Sequence, residues 1–281
     1  MKKYKKLAIP YVVWMLVLTG IPIILMVFFG ISNTKSFSTY TFKFSDFAFT
    51  LVHAKTAFSP VFFKAFLRSF GYSLVATILT FLIGYPIAYI ISKMKSRYKF
   101  LLLLVFILPM WTNMLLRIQT LNNLFKPNSF LSNTLGFSID LTNFKALKII
   151  LVMAIVYLPF MIFPCYTVLE KLDYTLLEAS QDLGASKVKS FFKVTFPLSV
   201  KGVFSGFIMV FLPCAMGFTI PQIVTDGDPN YAMIGQLIER QFMSSSPAYN
   251  VGSLMSLFIL IFTLGSIYLI GKVDKEGETL L

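Results

Sequence analysis

Residues 170–202 read EKLDYTLLEASQDLGASKVKSFFKVTFPLSVKG, from Glu170 to Gly202, and hold nine charged side chains between two long apolar runs. Local rules divide this stretch into helix, turn and helix. Thr175 and Glu178 have the T-x-x-E spacing of a capping box, which starts a helix running to about Leu183. Gly184 ends it, because glycine enters the left-handed C′ conformation at little cost. Ser186 can cap a second helix carrying Val188, Phe191, Phe192 and Val194, and Pro197 is expected to stop it. Such order in a charged loop fits two uses. One is an amphipathic hairpin lying on lipid headgroups; the other is a docking surface for a soluble subunit.

Outward from the hairpin the chain is apolar. A membrane-crossing helix needs about 20 predominantly apolar residues. Six segments qualify: 7–31, 69–92, 100–116, 149–169, 203–224 and 251–271, the third being marginal at 17 residues. The six contain 130 residues without one Asp, Glu, Lys, Arg or His, so all 37 Lys, Arg, Asp and Glu lie in the remaining 151. With 57% hydrophobic and 13% charged residues in a chain of 281, a water-soluble domain is excluded, since those run near a quarter charged. The sequence describes an all-α polytopic membrane protein with six transmembrane helices, treated as one transmembrane domain over 1–281.

An even number of spans puts both termini on one side. The loops on that side, including 170–201, hold 15 Lys and Arg in 55 residues, against 10 in 95 on the other. The positive-inside rule then makes both termini and the hairpin cytoplasmic in a cell membrane. The basic start, Met1 to Lys6, precedes an apolar run too long for a signal peptide and without a small-x-small cleavage site, so a retained signal anchor is expected. The net charge of +13 is spread between spans rather than along one arm. It marks topology and lipid contact, not nucleic acid.

Glycine and proline concentrate in the spans, with eight of 13 prolines and nine of 15 glycines. Pro159 and Pro164 interrupt the fourth span and Pro213 and Pro221 the fifth. Each removes a backbone donor that lipid cannot replace. This is either ordinary membrane-helix enrichment or a set of kinks beside a pathway. Gly202 and Gly206 form a G-x-x-x-G where another helix backbone can come close. No phosphate-binding G-x-x-x-x-G-K-[ST], nucleophile elbow or H-E-x-x-H occurs. Lone His53 and the cysteines Cys165 and Cys214 have no metal-ligand spacing. Neither covalent catalysis nor a cofactor or metal on this chain is expected. Ion-coupled carriers place ionisable groups within the bilayer, and their absence here disfavours a secondary transporter.

The run Glu178-Ala-Ser-x-Asp-Leu-Gly184-Ala185-Ser, with Phe191, Pro197-Leu198 and Gly202 after it, resembles the EAA motif of permease subunits in binding-protein-dependent ABC importers. Ser180 departs from the usual third alanine. The resemblance implies the type I importer (MetI-like) fold, with Glu178, Ala179, Asp182, Gly184, Ala185, Phe191, Pro197 and Gly202 as the element coupled to the ATPase. It further implies a cytoplasmic ABC ATPase dimer holding ATP and Mg, a second EAA-type permease forming a heterodimer, and an extracytoplasmic solute-binding protein. Three further stretches, Gly84-Tyr-Pro-Ile-Ala88, Pro109-Met-Trp-Thr-Asn113 and Tyr157-Leu-Pro-Phe-Met-Ile-Phe-Pro164, look like the spermidine/putrescine branch. Importers of ferric iron, thiamine, sulfate or phosphate share the hairpin and form the alternative.

For a polycation and no acid in the spans, pathway contacts would come from aromatic faces and amides. The candidates are Trp111, Asn113, Tyr157, Phe218 and Gln222. Asp226 belongs to the outer loop 225–250, which alone among the outer loops carries net negative charge. For Trp111 and Tyr157 an interfacial aromatic belt is the competing role; for Asp226 and Asp228 it is turn chemistry.

Overall fold

The structure is a computed structural model that describes residues 2–32, 49–127, 129, 140–244 and 247–278. Its described residues are helical apart from loops and one isolated bridge between Ser32 and Phe49. The chain forms two compact units, Met1–Lys64 with Leu237–Leu281, and Ala65–Gln236.

In chain order the helices are α1 (Lys2–Ile31), α2 (Val52–Ala57), α3 (Pro60–Lys93), α4 (Ser96–Trp111), α5 (Met114–Leu124), α6 (Lys145–Glu170), α7 (Tyr174–Asp182), α8 (Lys187–Ser190), α9 (Phe196–Met216), α10 (Thr219–Val224), α11 (Ile234–Met243) and α12 (Tyr249–Glu278). A π-helical turn, Phe191–Thr195, joins α8 to α9, and a 3₁₀ turn, Pro229–Tyr231, precedes α11.

In the first unit α1 packs along α12. Gly30 permits the approach, since a Cβ there would stand 3.1 Å from Leu254 Cδ2. Asn250 Nδ2 donates to the carbonyls of Phe29 and Ser32, at 3.0 and 2.6 Å, and so satisfies acceptors that the end of α1 leaves open. Phe58, Phe62 and Phe258 meet edge to face with centroids 5.5 Å apart.

The second unit is built around α6 and α9. Lipid tails are as apolar as leucine, so helices in a bilayer gain little from burial and associate by close contact and polar pairing. A Cβ on Gly202 would lie 2.7 Å from the Pro164 carbonyl oxygen, and one on Gly206 2.7 Å from Met161 Sδ. The G-x-x-x-G face is therefore used within the chain. On α3 the small residues Ala76, Thr80, Gly84 and Ala88 recur every four positions. Thr80 Oγ1 donates to the Ala76 carbonyl of its own helix at 2.7 Å and lies 3.5 Å from the Ala154 carbonyl of α6, and a Cβ on Gly84 would meet Met161 Cγ at 3.1 Å. Arg68 Nη1 donates to the Ala232 carbonyl at 2.8 Å, and the Ile234 amide to Ser69 Oγ at 2.7 Å.

Among the described residues five helices are long and apolar enough to cross a membrane, and there is a sixth span only if the pair α4 and α5, bent by 101°, is counted as one. The expected third span, 100–116, is thus not one helix. α4 has 16 residues, about 24 Å at 1.5 Å per residue, short of a roughly 30 Å hydrocarbon core. The break is closed by hydrogen bonds that meet on one carbonyl. The Pro109 carbonyl accepts from the Thr112 amide, the Thr112 hydroxyl and Arg117 Nη1, at 3.3, 2.7 and 2.8 Å. Asn113 then caps α5 by accepting from the Leu115 amide at 2.8 Å.

The expected fifth span, 203–224, is displaced toward the hairpin. Its helix ends at Met216, where Gly217 is extended (φ −67°, ψ 139°) and donates back to the Pro213 carbonyl at 2.9 Å. Gly217 and Met216 lie directly against Gly235, leaving no room for a side chain there. At the other end Pro197 does not stop the helix. It stands just after the π turn, inside a helix that runs on past it, and the wider π turn leaves room for its ring at the cost of one backbone bond. Residues 187–216 consequently form one continuous 30-residue helix.

A Gly202→Val substitution is expected to push α9 off the Pro164 carbonyl and cost about 1–3 kcal/mol. Gly71, whose Cβ would meet nothing within 4 Å, serves as the matched control. Thermal unfolding of the purified protein in detergent should fall clearly for Gly202→Val and stay near wild type for Gly71→Val.

Candidate functional site

The hairpin begins where α6 ends. Asp173, not Thr175, is the N-cap of α7: its Oδ1 accepts from the Thr175 amide at 2.9 Å. An ionised carboxylate two residues ahead of a free amide is a stronger acceptor than a hydroxyl, so the cap sits upstream of the predicted box. That amide holds the Asp173 carboxyl below the usual carboxylate range.

The turn after α7 has the two bonds of a Schellman motif. The Ala185 amide donates to the Ser180 carbonyl at 3.1 Å and the Gly184 amide to the Gln181 carbonyl at 2.8 Å. Gly184 has φ +84°, as the sequence requires, and Ser186 caps α8 by accepting from the Lys189 amide at 3.3 Å. Ser180 and the fully buried Ser190 are joined through their hydroxyls at 2.9 Å. The residue that departs from the family motif therefore clasps the two arms together.

Aromatic contacts fasten the hairpin to the bundle. The Phe191 ring lies 6.1 Å from Tyr85 and 5.2 Å from Tyr89, both edge to face. Tyr85 also packs on Phe196 at 5.6 Å, and its hydroxyl bonds Ser199 Oγ at 2.7 Å. Lys99 Nζ bonds both carboxylate oxygens of Glu170 at 2.8 Å, tying the start of α4 to the hairpin base.

The eight hairpin candidates fall into three groups. Glu178, Ala179, Asp182 and Gly184 are exposed at the tip, beside Leu183 (89% exposed), Val188 and Phe192. Ala185 and Phe191 are half-buried, and Pro197 is exposed on the continuous helix. Gly202 stands apart, buried between α9 and α6. Neither Glu178 nor Asp182 joins an ion pair among the described residues. The tip is thus an apolar surface with unpaired acids, held by a rigid base.

The six pathway candidates do not converge on one site. Trp111 is 85% exposed at the end of α4, whereas Tyr157 is buried in the core. Asn113 is committed as a cap, and Asp226 (φ 53°) forms a left-handed turn with Gly227 (φ 74°). Phe218 is half exposed as the N-cap residue of α10. Gln222 accepts from Gln236 Nε2 at 2.7 Å, and Gln236 Oε1 in turn accepts from the Met233 amide at 3.1 Å. Asp228 is already engaged: Lys145 Nζ donates to it at 2.7 Å and holds its carboxyl below the usual range, while its other oxygen accepts from the Asn230 amide at 2.9 Å.

Residues 80–273 match the family described as binding-protein-dependent transport system inner membrane component. The chain belongs to this family. A curated relative, the spermidine/putrescine transport system permease protein PotB of Escherichia coli (strain K12), is 32% identical over 246 residues, covering 83% of this chain and 89% of that protein. PotB of Haemophilus influenzae is 31% identical over 290 residues, covering 98% of both. A crystal structure of a bacterial alginate ABC transporter, in complex with alginate pentasaccharide-bound periplasmic protein, contains a chain with TM-score 0.70 and 16% identity. That match covers 98% of this chain and 94% of the other. The all-helical importer-permease fold anticipated from the sequence is therefore the fold of this chain, an inner membrane component and a transport subunit.

Sequence reasoning missed Asp173, Tyr85, Ser190 and Ser199. Asp173-x-Thr175 was readable as a cap; the other three depend on partners more than 9 positions distant and left no local signal. Replacing Asp173 by alanine should speed amide exchange at Thr175 and Leu176 at neutral pH. Because the folded carboxyl is shifted down, its contribution is complete above the unfolded value of about 4. It disappears as pH falls through the folded value, where wild type and Asp173→Ala should exchange alike.

Proposed function

We propose that this chain is the permease subunit of an ATP-driven polyamine importer, forming the translocation pathway for spermidine or putrescine by alternating access. The observation that carries the coupling is the unbroken helix from Lys187 to Met216, which runs from the second arm of the exposed hairpin into the span packed on α6. The substrate class rests on the likeness to PotB proteins, and it agrees with spans lacking fixed charge.

In this reading two cytoplasmic ATPase subunits carry ATP and Mg, and no cofactor resides on this chain. Leu183, Val188 and Phe192 enter a cleft on the ATPase, where Gly184 and Ala185 allow close approach and Glu178 and Asp182 find basic partners. Closure of the ATPase pair displaces the hairpin. Phe191, held against Tyr85 and Tyr89, passes that displacement to α3, and Gly202 passes it to α6. A second EAA-type permease completes a heterodimer, and an extracytoplasmic binding protein delivers substrate. Both termini and the hairpin face the cytoplasm, as the distribution of Lys and Arg directs, and 1–281 acts as one permease domain. Pathway contacts come from Trp111, Asn113, Tyr157, Phe218, Gln222 and Asp226.

Vesicles containing all subunits should take up labelled spermidine but not labelled iron or thiamine. Uptake of either alternative with none of spermidine or putrescine would sink the substrate assignment. Gly184→Val forces a β-branched residue into a φ near +84°, which costs about 1–3 kcal/mol and deforms the tip. ATP hydrolysis should persist in this variant while uptake falls at least tenfold; normal uptake would refute the coupling role.

A further inference from the structure

Between α4, α6 and α9 lies a groove of about 530 Å³, lined by Met110, Phe160, Phe163, Thr167, Ser205 and Met209 together with Pro164. Its volume falls inside the roughly 300–1,000 Å³ of small-ligand sites. No lining residue can ionise. The chemistry of its walls is nonetheless suited to a cation. Phe160 and Phe163 supply aromatic faces, whose negative quadrupoles attract ammonium groups.

The prolines add a second feature. Pro164 has no N–H to give the Phe160 carbonyl one turn back, and Pro213 none to give the Met209 carbonyl. Both residues robbed of their usual donors line the groove. The Ser205 hydroxyl, also lining it, has no hydrogen-bond partner among the described residues. Thr167 already donates to the Phe163 carbonyl at 2.8 Å, which leaves its lone pairs as acceptors. An acyl chain or an apolar helix seated here would leave these oxygens unsatisfied in a medium without water. An aliphatic polycation would satisfy them, with its methylenes against Met110 and Met209.

We propose that this groove is a transport subsite for the linear aliphatic polyamine, whose ammonium groups rest on the Phe160 and Phe163 faces and against the Phe160 and Met209 carbonyls. The assignment rests on the polyamine reading of the chain. It also explains why the spans do without acids. A conducting site must bind well enough to admit its ion and weakly enough to release it. A carboxylate in lipid would hold a polycation too firmly.

The test uses the complete transporter in vesicles. A Ser205→Cys variant is labelled with a maleimide, against a wild-type background whose cysteines, Cys165 and Cys214, are buried. During ATP turnover spermidine should slow labelling at least threefold, and 1,8-octanediol, of similar chain length without charge, should not. Equal slowing by both compounds, or by neither, overturns the subsite. Independently, Phe160→Leu combined with Phe163→Leu should raise the KM for spermidine uptake about fivefold or more, as loss of two cation–π faces predicts. An unchanged KM overturns the assignment while the polyamine reading stands. Wild-type vesicles that move no polyamine remove both.

Discussion

The contact between Gly202 and the Pro164 carbonyl is the constraint on which the second unit depends. In a bilayer no water stands ready to reward burial, and helices stay together only where their backbones come close enough for dispersion and polar contacts to accumulate. Gly202 and Gly206 remove the side chains that would hold α9 away, and α6 answers with Met161, Pro164 and Val168. The same surface of α6 receives Gly84 of α3 through Met161. One methionine thus sits where three helices meet, a position suited to its flexible and polarizable side chain.

That contact also gives the hairpin its mechanical meaning. A docking surface at the end of a flexible loop could bind a partner and transmit nothing. Here the tip continues through a π turn into α9 without a break, and Tyr85, Tyr89 and Lys99 brace its base from other helices. The Ser180 and Ser190 hydroxyls close the two arms on each other. In the proposed coupling, force on the tip reaches the α6 and α9 interface, beside the groove lined by Phe160 and Met209.

Charge is handled by position. The six apolar segments read from the sequence carry no Asp, Glu, Lys, Arg or His, whereas the helices of the structure also take in Arg117, Lys148 and Lys201, and the acid Asp228 is held by Lys145. In the proposed pathway a cation meets dipoles and aromatic faces in place of fixed charges. Release there would need no titration step, which suits the proposed drive from the hairpin.

The spans, the hairpin and its Gly184 turn were legible in the sequence, because hydropathy, helix caps and a left-handed glycine are local properties of a few adjacent residues. So was the G-x-x-x-G surface, though not its partner. The Thr175 capping box failed locally, since Asp173 takes the cap, and three further readings failed for want of a neighbour in space. Pro197 looked like a stop until the π turn made room for its ring. The third span looked continuous until Arg117 and Thr112 were found closing the turn at Pro109. The fifth span looked longer until Gly217 was found against Gly235. The proposed pathway residues scattered for the same reason: composition names the chemistry a cation needs, but only packing decides which carbonyls and rings share a wall. The sequence by itself determined where the chain is apolar, where it turns and which family it joins. Tertiary structure decided which helices touch and where a groove opens, since those depend on distances between residues far apart in the chain.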